Sequence, residues 1–160
     1  MSIESLRSAL AAAVTGEVRA GEPMARHTSY RIGGPADLFV TADTLRDLMA
    51  ATTLLTEAEV PYAVIGKGSN LLVADAGFRG AVVVLGKEFR RHEIEGEHLK
   101  AGAGVVLASL VQEAFRQGLA GMAFAVGIPG TFGGALAMNA GARGEWMGGL
   151  VESVTLFSPG

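Results

Sequence analysis

The sequence contains no cysteine, which excludes disulfides, thiolate catalysis and cysteine-ligated zinc together. It has no basic excess: 13 Lys and Arg against 16 Asp and Glu give a formal charge of −3 at pH 7, where nucleic-acid-binding domains usually carry a positive surplus. No stretch is apolar for long enough to cross a bilayer as a helix. The opening MSIESLRSALAAAV includes Glu4 and Arg7 and lacks the uninterrupted apolar core of a signal peptide. Histidine is sparse, and His27, His92 and His98 pair with no carboxylate at metal-ligand spacing, so no metal site is expected. These absences together describe a cytoplasmic protein with no nucleic-acid or membrane partner. With 160 residues, 49% of them hydrophobic and 18% charged, the chain suits one domain or one and a fraction, and it can bury a core.

Glycine, in contrast, is abundant. Its 23 occurrences are about twice the share of roughly 7% usual in globular proteins. They follow no three-residue period and instead gather at 33–34, 66–68, 102–104, 127–134 and 141–149, each beside an apolar segment. Glycine placed in this way marks points where the main chain turns sharply or where another group approaches it closely.

Periodicity predicts the elements between these clusters. Ile3, Leu6, Leu10 and Val14 have helical spacing, and a polar connector containing Gly16, Gly21 and Pro23 follows. Residues 37–41 read as a short strand. A helix capped by Asp43 or Thr44 reaches Glu59 with Leu45, Leu48, Met49, Thr52 and Leu55 on one face, and Pro61 precedes a buried strand at 62–65. Apolar runs follow at 71–73 and 81–85, the second a fully apolar strand. A pair of strands at 92–97 and 98–102 flanks a turn at Gly96. A helix over 106–118 carries Val106, Leu110 and Ala114 on one face and has Gly118 just past its end. A short helix is expected at 131–139, and the alternation at 151–157 predicts a strand that runs into turn chemistry at Ser158-Pro159-Gly160. A strand stopping in its turn reads as the end of a truncated chain.

Two glycine loops carry the functional signal. Gly66-Lys67-Gly68-Ser69-Asn70 follows the strand at 62–65, and successive main-chain N–H groups in such a loop can point at one anion. It lacks the G-x-x-x-x-G-K-[ST] order of a Walker loop, and a tight turn between strands explains it equally well. Gly127-Ile128-Pro129-Gly130-Thr131-Phe132-Gly133-Gly134 places four glycines ahead of a helix start near Thr131, where bare amides suit a phosphate or a flat ring. Close packing of that helix against a strand is the competing explanation. Neither this loop nor Ala101-Gly102-Ala103-Gly104, which has Leu107 at the third glycine position, matches the dinucleotide fingerprint G-x-G-x-x-G. Trp146 reads as packing or lid, and Asp75 and Glu145 as solvated loop carboxylates.

Taken in order, Tyr30-Arg-Ile-Gly-Gly-Pro-Ala36, Gly66-Lys-Gly-Ser-Asn-Leu-Leu72, Gly118-Leu-Ala-Gly121, Gly127-Ile-Pro-Gly-Thr-Phe-Gly-Gly-Ala135 and Met138-Asn-Ala-Gly-Ala142 resemble the UDP-N-acetylenolpyruvoylglucosamine reductase (MurB) family. The likeness runs from about His27 to the end of the chain. It implies an α+β class, the FAD-binding fold of the vanillyl-alcohol oxidase and p-cresol methylhydroxylase flavoproteins. Residues 1–86 would form a first FAD-binding subdomain and 87–160 an incomplete second one, with the substrate-binding domain absent. The cofactor-binding residues it implies are Gly66, Lys67, Gly68, Ser69, Asn70 and Leu71 in the first loop. In the second they are Gly127, Ile128, Pro129, Gly130, Thr131, Gly133, Gly134 and Ala135, with Asn139, Ala140 and Gly141 completing the wall. In the family, hydride passes from NADPH to FAD and then to the enolpyruvyl double bond of a UDP-linked amino sugar, giving UDP-N-acetylmuramate for peptidoglycan. The family's catalytic arginine, serine and acid lie beyond the last strand, so no catalytic residue is assigned, and the chain alone is expected to be inactive, to bind FAD weakly and to associate. Where many members have Ala-Tyr-Gly or Ala-His-Gly, this chain has Ala142-Arg143-Gly144, which leaves any ring contact at Arg143 open. A non-catalytic FAD or nucleotide module and another FAD-linked oxidoreductase of the same fold are the alternatives. Members of the latter usually attach flavin through a His or Cys, and neither residue lies in a glycine loop here.

Overall fold

The computed structural model describes residues 2–158, which divide into two compact units, 2–88 and 89–158. In the first unit, helix α1 (Ile3–Ala13) is capped by Ser2, whose hydroxyl accepts from the Ser5 amide at 3.2 Å, and it buries Leu6 and Leu10. Strand β1 (Val18–Pro23) runs antiparallel to β2 (Pro35–Ala42), so the polar connector read from sequence is a strand after all. Its burial is confined to Glu22 and its neighbours, which is why no apolar alternation announced it. Helix α2 (Leu45–Glu57), β3 (Tyr62–Ile65) and β4 (Phe78–Leu85) complete the unit, and the sheet order is β1-β2-β4-β3 with β2, β4 and β3 parallel. Strand β4 is central and buries Ala81, Val82 and Val83. Strand β3, expected to be buried, is an edge strand with Val64 half exposed.

The start of α2 shows how local chemistry sets a boundary. Thr44 Oγ1 accepts from the Asp47 amide at 3.1 Å while Asp47 Oδ2 accepts from the Thr44 amide at 3.2 Å, a reciprocal capping box. Asp47 is buried, and its Oδ2 also accepts from Thr15 Oγ1 at 2.6 Å and from the Asp43 amide at 3.0 Å. Burial pushes this carboxyl up, but the hydrogen bonds from Thr15, Thr44 and Asp43 outweigh it and hold the group below the usual aspartate range. Asp43 is lowered chiefly by Lys87, whose Nζ lies 2.5 Å from its Oδ2.

The two faces of the sheet have different covers. Helices α1 and α2 pack on one, where Leu38 and Val40 of β2 meet Leu10 and Leu55 in a fully buried layer. On the opposite face Phe39 and Val82 join Met24 and Ala36, with Ile65, Leu71, Val73 and Phe78 packed around them. That second cover is the irregular connection from β3 to β4, residues 66–77, where a parallel crossover would ordinarily use a helix.

In the second unit, β5 (His92–Glu95) and β6 (His98–Ala101) form a hairpin around Gly96 in the left-handed region at φ 59°. Helix α3 (Leu107–Arg116) buries Leu107, Leu110, Val111 and Ala114, and Gly118 (φ 75°) follows its C-cap as expected. Val106, predicted on the buried face, is its N-cap and only half-buried. Helix α4 (Phe132–Ala137) packs with Phe124 and Met147 into the core of this unit, and β7 (Gly141–Ala142) and β8 (Glu145–Trp146) form a small, largely exposed hairpin. The strand expected at 151–157 is not formed. No strand among the described residues pairs with it, and Val154 and Leu156 are exposed. Pro159 and Gly160 of the expected turn lie outside the described residues.

Candidate functional site

Residues 66–70 leave β3 without entering a helix, and Gly68 is the pivot. Its φ of 62° is left-handed, and a Cβ built there would stand 2.0 Å from the His27 carbonyl oxygen. The Ser29 amide donates to Gly68 O at 3.1 Å. Only glycine permits this conformation at this distance from a backbone carbonyl. The loop is therefore closed against segment 27–29. The next turn of the crossover is closed in the same way against Gly33-Gly34. The Gly34 amide donates to Ala74 O at 2.9 Å, and a Cβ at Gly34 would meet Asp75 O at 2.0 Å. These contacts explain the glycine pair of the first motif, which the sequence reading had left without a role.

The closed loop keeps its donors. Among the described residues the amides of Lys67, Gly68 and Asn70 donate no hydrogen bond, and Gly66, Lys67 and Asn70 are exposed. Unengaged amides at Lys67, at the buried, left-handed Gly68 and at Asn70 are donors of the kind an anion-binding nest uses. Ser69 is half-buried. Leu71 faces inward with Met24, Ile65, Val73 and Phe78 on a cavity of about 220 Å³ beneath the crossover.

The second loop behaves differently, and its geometry corrects the bare-amide expectation. Thr131 caps α4 as predicted, its Oγ1 accepting from the Gly134 amide at 3.3 Å. The Phe132 amide donates to Val105 O at 2.8 Å and the Gly133 amide to Ala103 O at 2.9 Å. All three amides of the first turn are thus used inside the protein. Gly133 is demanded by close packing, since a Cβ there would stand 2.5 Å from the Ala103 Cβ. Gly127 (φ 86°) and Gly130 (φ 121°) are needed for conformation, and Gly130 O accepts from the Leu107 amide at 3.1 Å. Ile128 packs on the core, Pro129 is exposed and Ala135 is buried. What this stretch offers a ligand is an exposed, side-chain-poor surface at 127 and 134.

Asn139, Ala140 and Gly141 terminate α4 and launch the hairpin. Asn139 is left-handed (φ 43°), and its Oδ1 accepts from the Gly148 amide at 2.9 Å. The Ala140 amide donates to Ala135 O at 2.8 Å, and Ala140 O accepts from the Met147 amide at 2.9 Å. A Cβ on Gly141 would stand 2.3 Å from Trp146 Cδ1, so Trp146 packs on bare backbone while staying half exposed. Arg143 (φ 57°) and Gly144 (φ 85°) form the two-residue turn, a type I′ geometry hidden from sequence because arginine is not a usual residue there. Among the described residues no cluster of three or more His, Asp or Glu could hold a metal.

Comparison with known proteins bears on the family and the fold. The FAD binding domain family matches residues 36–158. The UDP-N-acetylenolpyruvoylglucosamine reductase of Geobacter metallireducens is 48% identical over 157 residues, covering 98% of this chain and 52% of the relative. That of Desulforamulus reducens is 41% identical over 158 residues, covering 99% and 52%. The chain thus spans about half the length of the curated relatives it matches. Among solved structures, the reductase (MurB) of Thermus caldophilus aligns with a TM-score of 0.69 at 41% identity over 82% of this chain and 45% of that one. A BBE-like 1 variant of Physcomitrella patens aligns with a TM-score of 0.53 at 19% identity over 70% and 26%, a likeness of fold alone. The α+β FAD-binding fold and the reductase resemblance read from the five motifs are both borne out.

Proposed function

The chain belongs to the FAD binding domain family, and from that premise we propose that it is the cofactor-holding part of a UDP-N-acetylenolpyruvoylglucosamine reductase. The observation that carries the proposal is the 66–70 loop: closed against His27 through Gly68, it keeps the amides of Lys67, Gly68 and Asn70 unengaged. These residues fit a diphosphate. They supply several main-chain donors with no carboxylate in the loop, and a diphosphate is the part of FAD that needs them. In this reading Gly66–Asn70 hold the diphosphate and Leu71 seals the apolar floor beneath it; within the second unit, Gly127 and Gly134 form a bare surface of the kind that suits a flat ring. The structural parts played by Thr131, Gly133 and Asn139 to Gly141 keep that surface in place. The chemistry supplied by bound FAD would be hydride carriage from NADPH to the enolpyruvyl double bond of the sugar nucleotide.

The two units correspond in this reading to two FAD-binding subdomains, and the protein works in the cytoplasm. Because the chain spans about half of its relatives, we further propose that it binds FAD but does not turn over alone. Equilibrating the purified chain with FAD and following flavin fluorescence, then adding NADPH and UDP-N-acetylenolpyruvoylglucosamine, tests both statements. Saturable quenching without substrate-coupled NADPH oxidation is expected. Coupled oxidation would overturn the second statement, and absence of quenching the first.

A further inference from the structure

Strand β1 lies at the edge of its sheet and carries a carboxylate, Glu22, that is 5% exposed. Burying a carboxylate is unfavourable unless charged or hydrogen-bonding groups meet it, and here two guanidinium groups and an imidazole converge on one oxygen. Glu22 Oε1 lies 2.9 Å from His27 Nε2, 3.2 Å from Arg19 Nη1 and 3.7 Å from Arg26 Nη1. Arg19 is shared with Glu17, at 2.5 Å, whereas Arg26 is largely exposed. His27 is held on a second side as well: its ring stacks on Phe39, centroids 4.1 Å apart, and Phe39 belongs to the buried layer under the crossover. A ring fixed at its edge and on its face leaves its own main chain little freedom. That main chain is the surface against which Gly68 closes, and the adjoining Ser29 amide bonds to Gly68 O.

We propose that Glu22 is a positioning residue for the 66–70 loop, acting through the His27 ring on the backbone that Gly68 packs against. It touches no ligand. It fixes the direction in which the loop amides point, and that the anion they receive is the FAD diphosphate rests on the function proposed above. An apolar side chain of similar size would fill the same volume without fixing the imidazole by hydrogen bond, so the carboxylate contributes orientation and not bulk.

The test uses the whole chain in four forms: parent, Glu22→Met, which keeps the bulk and removes the acceptor, His27→Phe, which keeps an aromatic ring on Phe39 and removes Nε2, and Arg26→Gln. Amide hydrogen exchange without ligand reads the loop directly. In Glu22→Met and His27→Phe, exchange at Ser29 should accelerate at least fivefold while Leu10 and Leu55 stay within twofold of the parent. Arg26→Gln should leave all three within twofold. FAD should bind the first two variants at least fivefold more weakly, whereas riboflavin, which lacks the diphosphate, should be unaffected. Unchanged exchange at Ser29 in both variants would overturn the proposal, as would equal acceleration at Ser29 and in the helices, which would reduce Glu22 to general stability. Should Glu22→Met fail to fold, His27→Phe decides. If the parent does not bind FAD, the functional reading fails while the exchange result still judges the positioning role.

Discussion

Replacing Gly68 by alanine tests the architecture of the loop at its tightest point. Two costs add there. The left-handed backbone at φ 62° costs a residue with a Cβ about 1–2 kcal/mol. The Cβ itself would stand 2.0 Å from His27 O and 3.0 Å from Thr28 Cα, so main chain must move, and overpacking of that kind costs about 1–3 kcal/mol. The expected loss is about 2–5 kcal/mol, against the ordinary total of about 5–15 kcal/mol for a domain. Gly96 is the internal control: its φ is 59°, but nothing lies within 4 Å of its Cβ position. Gly96→Ala therefore carries only the backbone cost of about 1–2 kcal/mol. Calorimetric unfolding of both variants, with FAD titration of each, separates the two contributions. Gly68→Ala should unfold earlier than Gly96→Ala and lose FAD affinity at least tenfold. Equal stabilities and an unchanged FAD affinity would refute the claim that the loop is closed against His27.

Other outcomes follow from the same geometry. Gly133→Ala should destabilise the second unit by about 1–3 kcal/mol through overpacking, and adding Ala103→Gly, which removes the atom 2.5 Å away, should restore part of that loss in thermal unfolding. Leu10→Ala, in a fully buried position, should cost about 2–5 kcal/mol by urea unfolding. Asp43 and Asp47 are both held below the ordinary aspartate value of 3.8, so the stability they contribute is complete above it and is lost as pH falls through their lowered folded values. Asp43→Asn, which removes the Lys87 partner's charge, should accordingly flatten the acid limb of a stability-versus-pH curve. An unchanged limb would contradict the assignment.

Much of the fold was legible because it rests on local rules. Thr44 announces a capped helix, Gly118 ends another, and the run 81–85 reads as a strand because it is apolar throughout, as a strand covered on both faces can be. Strand β1 escaped because its buried residue is a glutamate, held by arginine and histidine side chains that give no apolar alternation. The hairpin at 141–146 escaped because Arg143 adopts a backbone geometry that sequence propensity gives to Asn or Gly. The glycine loops were visible as places where the main chain is bare, but glycine alone does not say whether a ligand or a neighbour takes the space. At Gly133 the neighbour is Ala103. At Gly68 it is His27, and the amides of Lys67, Gly68 and Asn70 remain unengaged among the described residues, whereas those of Phe132, Gly133 and Gly134 are used.

The central claim is that the 66–70 loop receives the diphosphate of FAD. Its most direct measurement is the affinity of the chain for FAD and for riboflavin, with and without Gly68→Ala. The account predicts saturable binding of FAD, much weaker binding of riboflavin, and a loss on substitution confined to FAD. Equal affinities for the two flavins, or no saturable FAD binding, would contradict it.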